Sequence, residues 1–369
     1  MTVVTVLRAG TFLYHWTQTR WYFPDHLSEP IMNNDHASLF ASLLEQASHA
    51  SLADLHQPAM SLLTDRGFLS VSGPDSQRFL QGQLSNNLDK LKPAQHHLST
   101  ACTPKGRMYS AFRLLHSEKA FLLSMHRGLL DQTQTTLGKY AVFFKSEQSI
   151  DTSLVALGLS GSNIKSTIQK LVGNTPEGDS AIKVEESAWL LSVPGTCERY
   201  ELWLPANQLP AWWDKLKQSF LPISQSHWRL LDIEAVIPEL LPEAVEQYIP
   251  QHLNLPTLNA VSFRKGCYTG QEIVARMQNL GQLKSRCYHL TAHSAVELIP
   301  NTKLTNAAGK TIGEVLYAVT PADANQTELL AIIRVEAAEA SDVHLPENDT
   351  PFTVAPLPYN IDVKAELQR

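Results

Sequence analysis

The stretch that decides the fold is Lys265-Gly266-Cys267-Tyr268-Thr269-Gly270-Gln271-Glu272, in the last third of a 369-residue chain. Thr269 and Glu272 are spaced as in a capping box, so we expect Thr269 to be the N-cap of a helix over 270–279. The glycines at 266 and 270 allow a tight turn and a close backbone approach by a ligand. The stretch therefore predicts a glycine-containing loop that leads directly into a helix.

Cys267 occupies that loop, just before the predicted helix N-terminus. The partial positive charge of a helix N-terminus favours a thiolate, and Arg264 and Lys265 act in the same direction. Cys267 is therefore a candidate reactive thiol. The alternative is a small residue packed under the helix, with Arg264 and Lys265 as solvated charges and Glu272 as a capping residue only.

The segment from 264 to 286 is locally cationic. It carries five basic side chains and one acid, Glu272, which gives a local charge of +4 on a chain whose net charge is −6. The basic residues are Arg264, Lys265, Arg276, Lys284 and Arg286. Such a patch beside a glycine-containing loop suits a carboxylate tail, a phosphate or a nucleic acid, and a solvated face is the alternative.

The composition bounds the class of protein. Hydrophobic residues make up 43% of the chain and charged residues 18%, which excludes bulk disorder and low-complexity architectures. Because the net charge is weakly negative, nucleic acid cannot be attracted by the global field and would need a local patch.

The four cysteines stand at 102, 197, 267 and 287, and no two of them form a Cys-x-x-Cys pair. This spacing argues against a zinc knuckle or a self-contained four-cysteine iron–sulfur site, so no metal site is expected. It also provides no disulfide framework, which favours a reducing compartment. We expect Cys102, Cys197 and Cys287 to be structural.

The chain divides into an extension and three parts. No apolar run approaches the ~18–20 residues needed to cross a bilayer, so no membrane association is expected. Residues 1–31 are interpreted as a disordered or mis-started extension, with Met32 as the natural first residue and a helix over 35–44. Strand and helix patterns alternate in an N-terminal α+β lobe (32–150) and in a second α+β lobe (151–280). From 281 to 369 short strands separated by turns predict a small β-barrel.

Five of the seven tryptophans lie between positions 189 and 228. The simpler interpretation is core packing within the second lobe. The alternative is an aromatic wall for a flat ligand.

Together with the motif, three other segments resemble one known family. They are Phe79–Asn86, Thr103–Met108 and Ile249–Phe263, and with the run at 265–272 they are similar to the YgfZ family. Members of that family are folate-binding proteins related to the aminomethyltransferase (T protein) of the glycine cleavage system. The resemblance extends from about position 60 to the C-terminus.

This resemblance implies a fold and a function. The fold is a multi-lobed, glycine-cleavage-T-protein-like α+β fold that holds tetrahydrofolate in a central channel between the lobes and ends in a small β-barrel. The function is that of a cytoplasmic folate-binding accessory protein. It would support iron–sulfur enzymes, such as a tRNA methylthiotransferase, and tRNA modification such as methylthiolation. Lys265 and Cys267 match the lysine and cysteine that the family uses.

The resemblance also assigns roles around the motif. Asp232-Ile233-Glu234-Ala235-Val236 looks like the stretch that supplies a glutamate to the pterin in the transferase, so Glu234 is the pterin candidate; a surface helix acid is the alternative. The other candidate folate contacts are Arg264, Tyr268, Gln271 and Glu272. The candidate structural positions of the motif are Gly266, Thr269, Gly270 and Arg276.

The sequence departs from the transferase pattern at two places. Asp232 replaces an arginine and Val236 replaces a glycine. The aspartate pair that follows the transferase's glycine-rich turn falls on Ser110 and Ala111. Because a hydroxyl and a methyl cannot steer proton transfer as a carboxylate does, classical aminomethyl transfer is not expected.

Two other functions stay open at this point. One is a folate-dependent one-carbon transferase or demethylase, which would need a replacement base such as Asp89 or Glu272. The other is a module that binds tRNA directly through the patch at 264–286; in the leading interpretation any contact with tRNA is indirect.

Overall fold

The computed structural model describes residues 40–346 and 350–368. The predicted extension at 1–31 and the first part of the helix predicted over 35–44 lie outside these residues. Residues 40–44 are helical. Within the described ranges, no helix combines the length and the apolar character that a membrane crossing requires.

A five-stranded antiparallel sheet forms the first lobe, in the strand order β3-β4-β5-β2-β6. A hairpin turns at 116–119, where β4 pairs with β5 from Arg113↔Ser124 to His116↔Phe121. The Ser117 hydroxyl donates to the Ala120 carbonyl across the turn at 2.7 Å. The strands are β2 (Arg66–Ser72), β3 (Gln95–Cys102), β4 (Met108–His116), β5 (Ala120–His126) and β6 (Glu147–Asp151).

A six-stranded sheet follows, in the order β11-β1-β7-β10-β9-β8. The early strand β1 joins it by pairing antiparallel to β7 and parallel to β11, so the chain passes between the two sheets near its beginning. The strands are β1 (Ala59–Leu62), β7 (Leu154–Gly161), β8 (Ala181–Glu185), β9 (Ala188–Val193), β10 (Glu198–Pro205) and β11 (Leu221–Pro222).

The last six strands close into a barrel in the order β12-β15-β14-β13-β16-β17. Its longest pairing joins β12 to β15, from Ser285↔Arg334 to Ala292↔Thr327. The predicted β-barrel is therefore confirmed. The strands are β12 (Ser285–Ala292), β13 (Lys303–Thr305), β14 (Thr311–Val319), β15 (Thr327–Arg334), β16 (His344–Leu345) and β17 (Thr350–Val354).

Short helices join and cover the sheets. Two of them matter for the site: the cavity helix, Gln225–Glu234, and the motif helix, Gln271–Leu280. The other α-helices are Ser76–Gln81, Leu130–Ala141, Lys165–Val172, Leu209–Leu216, Val335–Ala340 and Val363–Glu366. The 3₁₀ turns are Leu88–Lys90, Arg127–Leu129, Ala206–Gln208, Pro242–Ala244 and Pro250–Leu253.

One apolar cluster joins the first sheet, the cavity helix and the outer face of the barrel that packs against them. Leu69 of β2, Leu231 of the cavity helix and Leu330 of β15 all belong to it, and each is fully buried. The tryptophans at 189, 203, 212, 213 and 228 are all buried in two other clusters, which supports the packing interpretation. Trp228 also lines a cavity described below.

Candidate functional site

The motif loop alternates between anchored and exposed residues. Lys265 and Tyr268 are buried, whereas Gly266 and Cys267, which lie between them, are exposed. The two buried side chains also contact each other, since the Lys265 Nζ atom lies 5.0 Å from the centre of the Tyr268 ring. Lys265 and Tyr268 therefore anchor the loop on either side of Cys267, which is exposed to solvent.

The Lys265 ammonium points at backbone carbonyls. It donates to the carbonyl oxygens of Gln81 at 2.7 Å, Leu84 at 2.5 Å and Asn86 at 3.0 Å. Three acceptors match the three protons of a charged ammonium. Burial lowers the pKa of Lys265 to about 7, an effect that the Asp89 carboxylate opposes. Lys265 therefore ties the motif loop to the segment at 81–86.

The start of the motif helix differs from the prediction. Gly270, not Thr269, is the N-cap, with a φ of 87° and no side-chain cap. The Thr269 hydroxyl instead donates to Oε1 of Gln83 at 3.0 Å. A Cβ atom at position 270 would lie 2.5 Å from the Thr103 carbonyl oxygen, so this position requires glycine on grounds of both space and φ. The capping-box interpretation of Thr269 was wrong because Gly270, in the left-handed conformation, is the N-cap, and the Thr269 hydroxyl contacts Gln83 instead.

Gly106 brings the turn at 103–107 against the motif helix. Its φ is 70°, and a Cβ atom there would lie 2.9 Å from Cβ of Ile273. The Cα atom of Gly106 would also be 3.2 Å from a Cβ atom on Gly270. Two segments that resemble the same family therefore meet through a pair of glycines at the N-terminus of the motif helix.

The four cysteines differ sharply in accessibility. Cys267 is exposed, Cys197 is half-buried, and Cys102 and Cys287 are buried. Burial raises the pKa of Cys102 to about 12 and also raises the pKa values of Cys197 and Cys287. Of the four, Cys267 is thus the thiol most open to a reagent or partner.

The remaining motif residues surround the loop on the surface. Glu272 and Arg276 are exposed and Gln271 is half-buried, all on the motif helix. The exposed Arg264 guanidinium donates to the side-chain oxygen of Gln368. Lys284 is exposed as well, whereas Arg286 is half-buried. The predicted cationic patch is therefore accessible at three of its basic residues, which are Arg264, Arg276 and Lys284.

Glu234 ends the cavity helix and is held by two polar neighbours. Its carboxylate accepts hydrogen bonds from Nε2 of His56, at 2.9 Å, and from the Thr196 hydroxyl. The side chain is 30% exposed and is not among the residues that line the central cavity. Asp232, two residues earlier, does line it.

Val236 follows the cavity helix in a conformation usual for glycine. Its φ is 47° although the side chain is β-branched and fully buried. The Ile237 N–H donates to the Asp232 carbonyl at 2.9 Å, and the Val236 N–H donates to that of Ile233 at 3.1 Å. This is the helix-ending pattern in which a left-handed residue closes the last turn. Position 236, where the transferase pattern has glycine, therefore keeps a backbone conformation typical of glycine.

A cavity of about 60 Å³ lies between the two sheets and the cavity helix. It is lined by residues from widely separated parts of the chain. They are Arg66, Leu98, Ser99, Ala111, Phe112, Arg113, Ser124, Val193, Pro194, Arg199, Glu201, Trp228, Asp232, Ile237, Pro238, Glu239, Leu240, Leu255 and Ala260.

Three ion pairs line this cavity. Arg66 Nη1 lies 2.8 Å from Oε1 of Glu239, and Arg199 Nη2 lies 2.7 Å from Oδ1 of Asp232. The third pair is looser, with 3.7 Å between Arg113 Nε and Glu201 Oε1. Burial raises the pKa of Glu239 to about 7, although Arg66 opposes this, and burial lowers the pKa of Arg113.

An aromatic surface and unpaired polar atoms complete the cavity. The Arg199 guanidinium carbon lies 4.0 Å from the centre of the Trp228 ring. Of the described residues that line the cavity, Ser124 and Arg199 each contribute a buried atom without a hydrogen-bond partner, the hydroxyl and Nε. Buried polar atoms are normally paired, so these two atoms are available to a polar ligand.

The sequence reasoning missed the cavity charges. Arg113, Arg199 and Glu201 are charged residues inside otherwise apolar strands, and that is the sequence signal that could have identified them. The positions that match the transferase's aspartate pair are also near: Ala111 lines the cavity, and buried Ser110 donates to the Met125 sulfur at 3.4 Å. The two alternative bases, Asp89 and Glu272, are not among the lining residues.

Comparisons with known proteins agree with this geometry. No protein-family model matches the sequence. The chain is 32% identical over 335 residues to the tRNA-modifying protein YgfZ of Pectobacterium carotovorum, covering 89% of this chain and 99% of that protein. It is 32% identical over 306 residues to the protein of the same name from Photorhabdus laumondii, covering 81% of this chain and 92% of the relative.

The fold has a solved counterpart. The glycine cleavage system aminomethyltransferase T from Bartonella henselae superposes with a TM-score of 0.70, covering 86% of this chain and 88% of the transferase, at 16% identity. The predicted T-protein-like α+β fold is therefore confirmed. The resemblance first drawn from the motif is confirmed as well by the relatives, one of which is matched over almost its whole length. The chain belongs to the family of tRNA-modifying proteins named YgfZ.

Proposed function

We propose that this protein is a cytoplasmic, folate-binding accessory factor for tRNA modification. In this proposal tetrahydrofolate occupies the central cavity, and Cys267 is the reactive group. The iron–sulfur enzymes that methylthiolate tRNA are the clients. The curated relatives are named as tRNA-modifying proteins, which supports a tRNA-modification role. The observation that carries the proposal is the exposed thiol of Cys267 on an anchored loop.

Cys267 differs from the other three cysteines in its exposure to solvent. Cys267 is exposed, and its loop is fixed by the three hydrogen bonds of Lys265. Because the loop is already fixed, little conformational entropy is lost when the accessible sulfur contacts a partner's sulfur, cluster or oxidant. A single thiolate cannot hold a cluster alone, so the proposed contact with an iron–sulfur client is transient.

The central cavity has hydrogen-bond donors and acceptors that could bind a pterin. A pterin has an aminopyrimidine edge that donates two N–H bonds to a carboxylate, and Asp232 and Glu239 line the cavity. The Ser124 hydroxyl, which also lines the cavity, is unpaired, and the Arg199 guanidinium lies against the Trp228 ring beside it. The chemistry of the lining therefore fits a pterin, with Asp232 a better-placed carboxylate than Glu234.

The cavity must widen to hold the whole ligand. Its volume of about 60 Å³ is smaller than the roughly 300–1,000 Å³ of pockets that hold drug-sized molecules. We therefore propose that tetrahydrofolate binding separates the side chains of the looser Arg113–Glu201 pair, which are 3.7 Å apart.

Classical aminomethyl transfer is not part of the proposal. Ala111 faces the cavity at the position that matches a transferase carboxylate, and a methyl group neither accepts nor orients a proton. In this interpretation bound folate positions or stabilises the protein and is not required to turn over.

The decisive experiment is complementation of a deletion strain, with methylthiolated nucleosides of tRNA measured by mass spectrometry. Cys267→Ser should fail to restore them, whereas the matched control Cys197→Ser should restore them. Full restoration by Cys267→Ser would remove the thiol from the function.

The folate component has its own test. Titration calorimetry with tetrahydrofolate should show binding to the wild-type chain and a loss of at least tenfold in affinity for Ala111→Leu, which fills the cavity. Ala141→Leu, outside the cavity lining, is the control and should bind like the wild type. Equal affinity for wild type and Ala111→Leu would show that the central cavity is not the folate site.

A further inference from the structure

An exposed aromatic and cationic surface lies at the end of the helix Leu130–Ala141. Phe143 is 84% exposed and Val142 73% exposed, and Tyr140 beside them is 36% exposed. Such large apolar groups are rarely left in water together without a binding role. We refer to these three side chains, with Lys139, Lys145 and Arg78 around them, as the Phe143 surface.

The backbone beneath this surface is fixed. Phe144 turns inward and packs against Phe79, with 5.4 Å between ring centres, and the Arg78 guanidinium carbon lies 5.2 Å from the centre of the Phe144 ring. The Asp75 carboxylate accepts a hydrogen bond from the Lys145 N–H at 3.0 Å, and the Asp75 N–H donates to the Lys145 carbonyl at 3.2 Å. Phe143 is thus held outward by an anchored turn, which reduces the ordering cost of binding.

The charges around Phe143 are unmatched. Arg78, Lys139 and Lys145 are exposed, and within the described part of the chain none of them forms an ion pair. One neighbouring acid, Asp75, accepts a hydrogen bond from the Lys145 backbone and forms no ion pair with these side chains. Three basic side chains without ion pairs beside an exposed ring suit a partner that carries both negative charge and flat apolar groups.

We infer that the Phe143 surface binds unpaired nucleotides of an RNA, with a base stacked on Phe143 and phosphates against Lys139, Lys145 and Arg78. Stacking of bases on aromatic side chains beside basic groups is the usual means of holding single-stranded nucleic acid. An apolar protein partner would instead bury three cations without counter-charges, which is costly. The inference rests on the proposed role in tRNA modification and adds a direct contact to it.

The Phe143 surface is linked to the motif loop by one short helix. Phe79, which supports Phe144, lies in the helix Ser76–Gln81, and the Gln81 carbonyl accepts a hydrogen bond from Lys265. Six helical residues span only about 9 Å. The Phe143 surface and the motif loop therefore both contact the helix Ser76–Gln81.

The test measures binding of a fluorescently labelled hairpin RNA with an unpaired loop, by anisotropy at several salt concentrations. Phe143→Ala should weaken binding roughly five- to a hundredfold, the effect of losing one stacked base. The double variant Lys139→Gln/Lys145→Gln should make the dependence of log K on log salt shallower by about 1.4, or 0.7 for each lost phosphate contact. Ile299→Ala removes a 55% exposed apolar side chain elsewhere and should leave binding unchanged.

Two results with the variants would overturn the inference. One is wild-type affinity in both the Phe143→Ala and the lysine variants. The other is loss of binding to a client iron–sulfur enzyme in Phe143→Ala with RNA affinity intact, which would assign the surface to a protein. If the wild-type chain binds no RNA but Cys267-dependent complementation and tetrahydrofolate binding hold, only this inference fails and the proposed function stands.

Discussion

The Nζ atom of Lys265 lies 2.7 Å from the carbonyl oxygen of Gln81, at the C-terminal end of the helix Ser76–Gln81. The last carbonyls of a helix have no partner within the helix, and a buried ammonium can accept that role by donating hydrogen bonds to them. Its positive charge also interacts favourably with the negative end of the helix dipole. Leu84 and Asn86 provide the other two acceptors. The motif lysine thus acts as an internal cap of a distant helix.

Removing this ammonium should destabilise the fold. Lys265→Met keeps the length of the side chain but leaves three carbonyls unpaired, and Lys265 is only 7% exposed. We expect the free energy of unfolding, measured by urea denaturation, to fall by about 2–4 kcal/mol. Arg264→Met, at the exposed neighbouring position, should change it by less than about 0.5 kcal/mol. Equal effects of the two variants would contradict an anchoring role for Lys265.

The glycine contact at the N-terminus of the motif helix gives a second prediction. Gly106→Ala places a methyl group 2.9 Å from Cβ of Ile273 at a φ of 70°. Gly309→Ala meets no atom within 4 Å at a φ of 74°, so it isolates the cost of the backbone conformation. Gly106→Ala should therefore lower the free energy of unfolding by about 1–3 kcal/mol more than Gly309→Ala. If Gly106→Ala lowers the free energy of unfolding no more than Gly309→Ala does, the turn at 103–107 can move away from Ile273 at little cost.

Val236 provides a test of backbone strain. A β-branched residue at a φ of 47° costs about 1–2 kcal/mol, which glycine would not incur. Val236→Gly should therefore be less destabilising, by about that amount, than Val261→Gly, where an almost equally buried valine has a negative φ. Chemical denaturation of the two variants measures the difference, and a larger loss for Val236→Gly would refute the strain.

The cysteines should differ in reactivity towards iodoacetamide. Cys267 is exposed, Cys197 is half-buried, and the other two thiols are buried. Burial also raises the pKa of Cys102 to about 12, which reduces the thiolate fraction at neutral pH. Mass spectrometry of partly alkylated protein should show Cys267 modified first and Cys102 and Cys287 only after unfolding. Earlier labelling of Cys197 would contradict the order of exposure.

His227 predicts a loss of stability in acid. Burial, with Arg199 and His56 nearby, lowers the pKa of His227 from 6.5 to about 4, so the unfolded chain binds this proton more readily. The stability that His227 contributes is present above pH 6.5 and is lost as pH falls towards 4, by about 3 kcal/mol. His227→Gln should make the decline between pH 6.5 and 4 shallower by that amount in denaturation curves, whereas the exposed His49→Gln should follow the wild type.

The barrel was predictable because local signals agree. Turn residues such as Ala307-Ala308-Gly309-Lys310 separate short apolar strands, and β13 and β14 pair across that turn. The family motif likewise located the exposed Cys267. These features depend on residues that are close together in the sequence, so a single sequence is enough to predict them.

The cavity was not predictable because its members meet only through tertiary structure. Arg199 of β10 and Asp232 of the cavity helix are separated by 32 residues of intervening chain, and Arg66 and Glu239 by many more. The same cause misled the interpretation of Thr269. Its spacing to Glu272 fitted a cap, but its hydroxyl donates a hydrogen bond to Gln83, which is far away in sequence.

Because one apolar cluster joins β2, the cavity helix and β15, the stability of the barrel is coupled to that of the first lobe. A chain truncated before β12 would leave one side of that cluster bare to water, so the last strands cannot be removed as an independent module. Melting should accordingly engage both regions in a single cooperative transition, and fragments made by proteolysis near Gly281 should remain associated.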